Sequence, residues 1–267
     1  MYDSKLDLDR QTAPERVAAA GARRILAIDV GNSRLKWGIS EAGRWVARDR
    51  IVHADIPLLP ARWRPHGDPD IAIVANVAGD AIRAALGAAL GSFKLQPIWL
   101  TASASCCGVS NHYLRPSQLG ADRWAALIAA RHAAAGSCLV VNAGTATTLD
   151  ALTAGGDFVG GLILPGLGLM TRSLNLGTAL IGADAGHYQG FPRSTRDAVY
   201  TGAVQATVGA IDRQLVAMET AGHGPAHCVL TGGASDVLAP HIAATTIRIE
   251  TLVLDGLRYV ADRSPGG

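Results

Sequence analysis

Two stretches of the chain are built to the same plan, and both carry residues suited to holding phosphate. The first is Ile28-Asp-Val-Gly-Asn-Ser-Arg-Leu-Lys-Trp-Gly-Ile39 and the second is Val141-Asn-Ala-Gly-Thr-Ala-Thr-Thr-Leu-Asp-Ala-Leu152. In each, a short apolar run leads to a polar side chain (Asp29, Asn142), one apolar residue, a glycine (Gly31, Gly144) and a hydroxyl-bearing step into a second strand-like run. A tight glycine turn lets backbone N–H groups approach a ligand with no side chain in the way. Asp29, at a strand end, could hold a magnesium ion directly or through water. Asn32, Ser33 and the turn amides could take phosphate oxygens, with Lys36 as a compact point charge. Thr145, Thr147 and Thr148 could form a second clamp. The same residues also suit an Asx-type hairpin and a threonine-rich strand. Two such turns, roughly a hundred residues apart, point to two similar half-domains facing one phosphate-bearing ligand across a cleft.

A third group lies between them, in Tyr113-Leu-Arg-Pro-Ser-Gln-Leu-Gly-Ala-Asp-Arg-Trp124. Gly120 and the Asp122–Arg123 pair sit where a loop enters a helix, a place that favours anions. A buried Asp122 could act as general base on an alcohol, and Arg123 could clamp a carboxylate through its bidentate fork. The alternative is a first-turn helix aspartate beside a surface arginine. Gly160-Gly161-Leu-Ile-Leu-Pro165-Gly166 requires only close packing and a stop before a helix. Gly232-Gly233-Ala-Ser235 could pass backbone against a flat adenine ring, or simply turn from strand to helix. His223 and His227 have HxxxH spacing, but Gly224-Pro225 between them forbids a shared helix face. The chain has no GxxxxGK[ST] run, which excludes a P-loop.

The elements that must position these residues follow from periodicity and punctuation. Strand-like runs flank Gly31 over Arg24–Ser40, and a more polar one covers Arg44–Val52. Asp70–Val77 is apolar enough for a strand buried on both faces. Asp80–Gly91 is an Ala/Leu helix with an aspartate at its start and a glycine at its end. Gln96–Thr101 is a strand, and Ala102–Pro116 has no period, as expected of a functional loop. Ser117–Ala135 is helical after Gly120. The pattern then restarts with strands at 138–143, 145–152 and 157–164. Helices follow at about 167–175 and 194–221, then strands at 227–231 and 246–250 and a final helix near 252–262. Two successive β-β-β-then-α/β units make a duplicated α/β architecture the expectation. Its half-domains would span residues 25–136 and 137–267.

Composition agrees. With 267 residues, 49% apolar and only 17% charged, the chain can bury a large core or two of ordinary size. The net charge is +2 with scattered Lys and Arg, so nothing argues for a nucleic-acid surface. No run is long and apolar enough for a membrane span. Residues 1–24 mix acids and bases, fit neither a secretory signal nor an organelle transit peptide, and are expected to be an extension or a short surface helix. Cys106, Cys107, Cys138 and Cys228 lack metal-ligand spacing and suit a reducing cytoplasm.

Taken in order, DVGNS, GADR, NAGTATT and GGLILPG resemble the type III pantothenate kinase family, also called Bvg accessory factor, from about Ile25 to the final helix. The resemblance implies the duplicated ribonuclease H-like fold of acetate and sugar kinases, Hsc70 and actin (ASKHA), with two half-domains around a cleft, and a homodimer. It implies transfer of the γ-phosphate of ATP, as its Mg2+ complex, to pantothenate. By motif, Asp29, Val30, Gly31, Asn32, Ser33, Arg34, Leu35 and Lys36 would form the first phosphate segment. Thr145 would contact ATP in the second. Gly120, Ala121, Asp122 and Arg123 would form the pantothenate site, with Asp122 the proton acceptor. Tyr113 matches a substrate-contacting tyrosine, and Thr195 a threonine reaching that pocket near the dimer interface. In the family the second turn usually begins with an aspartate that binds a monovalent cation, potassium or ammonium. Here it is Asn142, which brings no charge. The alternatives are another kinase or phosphatase of the same superfamily and a regulatory accessory protein of transcription.

Overall fold

The computed structural model describes residues 23–177 and 186–264. Most of the expected N-terminal extension therefore lies outside the described residues. Its last two residues do not. The Arg23 guanidinium donates to the carbonyls of Ala261 and Ser264, and Arg24 opens the first strand.

The first half runs β1 (Arg24–Val30), β2 (Leu35–Glu41), β3 (Arg44–Ile51), α1 (Leu59–Trp63), β4 (Ile71–Asn76), α2 (Asp80–Gly91) and β5 (Ile98–Trp99). Two short strands follow, β6 (Ser105–Cys106) and β7 (Val109–Asn111), then α3 (Ala121–Ala133). The second half runs β8 (Ser137–Ala143), β9 (Ala146–Leu152), β10 (Asp157–Pro165), α4 (Leu167–Gly177), α5 (Thr195–Thr220), β11 (Ala226–Thr231), α6 (Ser235–Leu238), β12 (Thr246–Arg248) and α7 (Leu252–Arg263).

The duplication is explicit in the sheets. One has the order β3-β2-β1-β4-β5, and the other contains β10-β9-β8-β11-β12, the same arrangement strand for strand. In both, the first three strands are antiparallel and the last two join in parallel. The second sheet is wider because β7 and β6 extend it beyond β10. Those strands precede residue 137, so the sheets do not divide where the sequence repeat restarts. The stretch expected to be a functional loop over 102–116 thus holds a small hairpin. Its two- and three-residue strands are too short to show a period, and the pairing of β7 to Asp157–Phe158 comes from the other half.

Alternation along each strand decides what faces what. In β1, Leu26, Ile28 and Val30 enter a core with Leu35, Trp37, Leu86 and Leu90 on the α2 side. Ile25 and Ala27 face the opposite way, onto α3 and α7, and Asp29 continues their row. In β8 and β9, Val140 and Leu152 face α3, and Leu139, Val141, Leu149 and Ala151 face α5. Asn142, Thr148 and Asp150 therefore sit on the same inner side as Asp29. Between the sheets, α3 and α7 pack on each other with Trp124, Leu127, Ile128 and Leu257 fully buried. Burying a side chain of this kind contributes ~1.5–3 kcal/mol. The crossing is close enough that a Cβ at Gly256 would overlap the Ala125 carbonyl. The last helix thus closes on the third, and the two halves share one core.

Candidate active site

The two glycine turns meet. Gly31 N–H donates to the Arg34 carbonyl at 3.1 Å and Gly144 N–H to the Ala146 carbonyl at 3.1 Å, so each turn is closed by its own backbone. Their tips are exposed, and the hydroxyls of Ser33 and Thr145 lie 2.8 Å apart, one hydrogen bond across the cleft. Gly166 seats the second turn from below, donating its N–H to the Thr145 carbonyl at 3.0 Å. His53 anchors the first, its Nε2 2.9 Å from the Gly31 carbonyl.

Asp29 is the last inward residue of β1 and pairs with Lys36 in the ladder. Burial first, and the charge of Asp122 second, push its carboxyl up to about 7, while Lys36 pulls the other way. Asp122 stands in the first turn of α3, whose N-cap, Gly120, offers no side-chain cap. The Asp122 carboxylate folds back over Gly120 and accepts from backbone amides there. Burial still raises its pKa, against the lowering effect of those amides and of Arg123. Val30 and Leu35 are buried supports of the first turn, whereas Asn32, Ser33 and Arg34 form its exposed tip.

Arg123 behaves differently from the sequence expectation. Its fork does not reach outward: Nε donates to both oxygens of Asp150 at 3.2 and 3.1 Å, and Nη2 donates to Asp150 Oδ1. The pair is buried, with side chains 6% and 1% exposed. Nη1 donates to the Tyr113 hydroxyl at 3.1 Å. The Nε edge of the guanidinium is thus taken by Asp150, and of its five N–H donors one on each of Nη1 and Nη2 remains for a ligand. Tyr113, having accepted from Arg123, keeps its own O–H proton to donate. Burial pushes Asp150 up to about 6 despite Arg123, with Asp122 a further raising charge. Asp150 holds the guanidinium firmly protonated in turn.

Asp150 is the functional-site residue that sequence reasoning missed. It is a carboxylate at an inward position of an otherwise buried strand, opposite Val140 and Gly161. The second-half GG pair now has a reason: a Cβ at Gly161 would overlap Asp150, the Leu149 carbonyl and Arg123 Nη2. The structure brings together Asp29, Lys36, Asp122, Arg123, Tyr113 and Asp150, with Ser33 and Thr145 at the rim. Asn142 is the last inward-facing residue of β8, close to Gly144. Thr195 is exposed at the first turn of α5 and is not among the groups gathered around Asp122.

Among the described residues no cluster of three or more His, Cys, Asp or Glu is placed to hold a metal ion. A buried carboxylate such as Asp29 at an exposed glycine turn would suit an ion that arrives with a polyphosphate and keeps waters and phosphate oxygens as its other ligands.

A duplicated α/β fold with paired glycine turns and a carboxylate between them defines the ASKHA class. Solved structures of that class share the fold. A protein of Campylobacter jejuni described as a Baf-family transcriptional activator matches with a TM-score of 0.56 at 19% identity, over 89% of this chain and 97% of that one. The activator of 2-hydroxyisocaproyl-CoA dehydratase from Clostridium difficile, solved with bound ADPNP, matches with a TM-score of 0.51 at 10% identity, over 90% and 94%. The chain belongs to the type III pantothenate kinase family, whose model matches residues 25–217. Curated relatives with that name include those of Aromatoleum aromaticum, 46% identical over 89% of this chain and 97% of theirs, and Nitrosospira multiformis, 41% identical over 89% and 90%.

Proposed function

We propose that the chain transfers the γ-phosphate of ATP to the primary hydroxyl of pantothenate, the first step of coenzyme A synthesis. The observation that carries this reading is the placement of Asp122, a half-buried carboxylate, between the first phosphate turn and the Tyr113–Arg123 wall. Phosphoryl transfer needs mainly positioning and charge neutralisation. Asp29, Lys36, Ser33 and Thr145 hold the triphosphate end. A magnesium ion held by Asp29 and the phosphates would neutralise charge developing on the transferring group. Asp122 takes the proton of the attacking hydroxyl, a role suited to a carboxylate whose pKa burial has raised. Tyr113 donates its hydroxyl proton to pantothenate, and Arg123, fixed by Asp150, keeps that hydroxyl in place. Half-domains at 25–136 and 137–267 clasp the two substrates.

The protein works as a homodimer on this reading. Apolar side chains stand exposed on β10 and α5, among them Ile163 at 64% and Val216 at 61%, and pairing would cover them. Thr195 would then reach the pantothenate pocket from near that interface. No helix among the described residues is long and apolar enough to cross a membrane.

The test is ADP release with and without pantothenate, with the phosphorylated product identified by mass. ADP release that ignores pantothenate but follows a sugar or acetate would support another kinase of the superfamily. Sequence-selective, salt-sensitive DNA retention would support a regulatory role.

A further inference from the structure

Asn111, the last residue of β7, is a buried polar side chain that the cleft's chemistry does not use. Its backbone is fixed by neighbours from elsewhere in the chain. It sits opposite Phe158 in the parallel pairing with β10, and its N–H donates to the Ala104 carbonyl at 2.8 Å. The His112 N–H then donates to the Phe158 carbonyl at 3.1 Å, so the register with the second half continues one residue past the strand. From this fixed point the side chain commits both ends of its amide to the segment that follows. Oδ1 accepts from the Tyr113 N–H at 3.1 Å, an Asx-turn, and Nδ2 donates to the Pro116 carbonyl at 3.2 Å. Pro116 opens the single helical turn that leads into Gly120 and α3.

One side chain thus ties Tyr113 to Pro116 across the exposed Leu114 and Arg115. The strand's alternation is carried beyond its end: Asn111 is buried and Tyr113 half-buried, while His112 and Leu114 are exposed. Tyr113 can then lay its ring near Phe158, centroids 5.1 Å apart, and bring its hydroxyl to Arg123 at 3.1 Å. Those contacts hold the ring and the hydroxyl, but neither sets the backbone from which the side chain departs. Asn111 does. The task needs an acceptor and a donor in one short planar group, which an amide has and a carboxylate or an apolar side chain lacks. A buried amide so fully used also specifies one arrangement of the segment, because any other would leave its polar atoms unpaired.

We propose that Asn111 is a positioning residue for the phosphotransfer reaction. It acts through Tyr113, holding that residue's backbone so that the hydroxyl meets pantothenate at the right place, and it touches neither substrate itself. The proposal rests on reading Tyr113 as a group that binds pantothenate. It makes the pairing of β7 with β10 part of the substrate site, since the second half fixes Asn111 and Asn111 fixes Tyr113.

The test is a double-mutant cycle of N111A and Y113F, read by steady-state kinetics and by exchange of the Tyr113 amide hydrogen in the free protein. N111A should raise KM for pantothenate about fivefold or more, the scale of one lost buried support. KM for ATP should stay unchanged, as only the pantothenate side of the cleft is disturbed. In the Y113F background the same substitution should add about twofold or less, because residues that act as a unit are not additive. Exchange of the Tyr113 amide should quicken about tenfold or more in N111A and stay near the wild-type rate in Y113F. Should N111A fail to fold, N111S carries the same test: its hydroxyl can accept from the Tyr113 N–H as an ST-turn, while the bond to Pro116 is lost. Its KM for pantothenate should rise less than N111A's would, and again not in the Y113F background. An unchanged KM for pantothenate, an equal rise with and without the Tyr113 hydroxyl, a parallel rise in KM for ATP, or unchanged amide exchange in N111A would each overturn the proposal. If wild type shows no pantothenate-dependent ADP release, the functional reading fails, and the exchange rates still decide whether Asn111 holds Tyr113.

Discussion

The two halves of this molecule share a scaffold and differ in charge. Five strands in the same order, a glycine turn after the first strand of each half, and two helices that close on each other make them near copies. Yet the first turn follows a buried carboxylate, Asp29, while the second follows an amide, Asn142. The first has Lys36 in register with its acid, and the second has Thr148. The second half in turn contributes Asp150, which pins Arg123 from the first. Duplication thus supplies geometry, two rims held a hydroxyl bond apart, and the chemistry sits where the copies diverge. The comparison can be tested by making the halves more alike or by removing what they share.

Removing the shared centre should have the largest effect. Asp122 belongs to neither turn, and Asp122→Asn keeps its size and its place over Gly120 but cannot accept a proton. We expect kcat to fall by roughly two or more orders of magnitude, with thermal unfolding unchanged. Near-normal turnover would remove Asp122 from the base role.

Asp29→Asn makes the first turn resemble the second. It removes the carboxylate suited to a phosphate-bound magnesium ion, and kcat/KM for ATP should fall about tenfold or more. It also removes a buried charge that Asp122 repels, so the variant should be at least as stable as wild type in metal-free buffer. A drop in activity with no loss of stability would separate Asp29's role in the site from any role in holding the fold.

Asp29 and Asp150 also make the fold sensitive to pH in a definite direction. Their carboxyls are raised to about 7 and about 6, so between pH ~4 and ~7 the folded chain holds more protons than the unfolded one. Stability should therefore be greatest at the acid end of that window and fall as pH rises to 7, measured by denaturant midpoints without metal. Activity should run the other way, rising with pH as Asp122 and Asp29 ionise. Opposite slopes for stability and turnover are the signature. Parallel slopes would mean that surface charges dominate.

Much of this was legible in the sequence because short-range rules govern it. Asp29, Gly31 and Lys36 announce a turn between two strands, and Gly120-Ala-Asp-Arg123 announces a loop entering a helix. The repeat of apolar runs predicts matching sheets. What stayed hidden depends on contacts between segments far apart in the chain. Nothing local in Thr-Leu-Asp150-Ala says that this acid faces Arg123, because the periodicity shows only a strand. The same limit left Arg123 open to being a surface arginine, where the fold buries it against Asp150. It also hid the hairpin over Ser105–Asn111, since β7 pairs with β10 from the other half as well as with β6.

Gly161→Ala probes the contact that the first half borrows from the second. The added methyl would overlap Asp150, the Leu149 carbonyl and the Arg123 guanidinium, and overpacking of this kind costs about 1–3 kcal/mol. The expected result is a melting temperature lower by several degrees, ~2–4 °C per kcal/mol for a chain of this size. KM for pantothenate should rise with it, because Arg123 no longer steadies Tyr113. A loss of stability with an unchanged KM would confine the ion pair to a structural role.

The smallest effect should come from the second turn, and it sharpens the comparison most. Asn142 can offer a cation its amide oxygen but no charge, and affinity at oxygen sites depends strongly on ligand charge. Turnover of the wild-type chain should therefore change little, about twofold or less, between potassium-free and potassium-rich buffer. Asn142→Asp makes the second turn resemble the first, with its carboxylate at the inner end of β8 beside the Ser33–Thr145 bridge. That variant should be slower than wild type without potassium, since an uncompensated acid then lies near the phosphates. Added potassium or ammonium should restore it. Sodium, smaller and harder to dehydrate, should restore less. A strict potassium requirement in the wild type would show that the amide builds a working cation site, and that the two turns differ less in function than in charge.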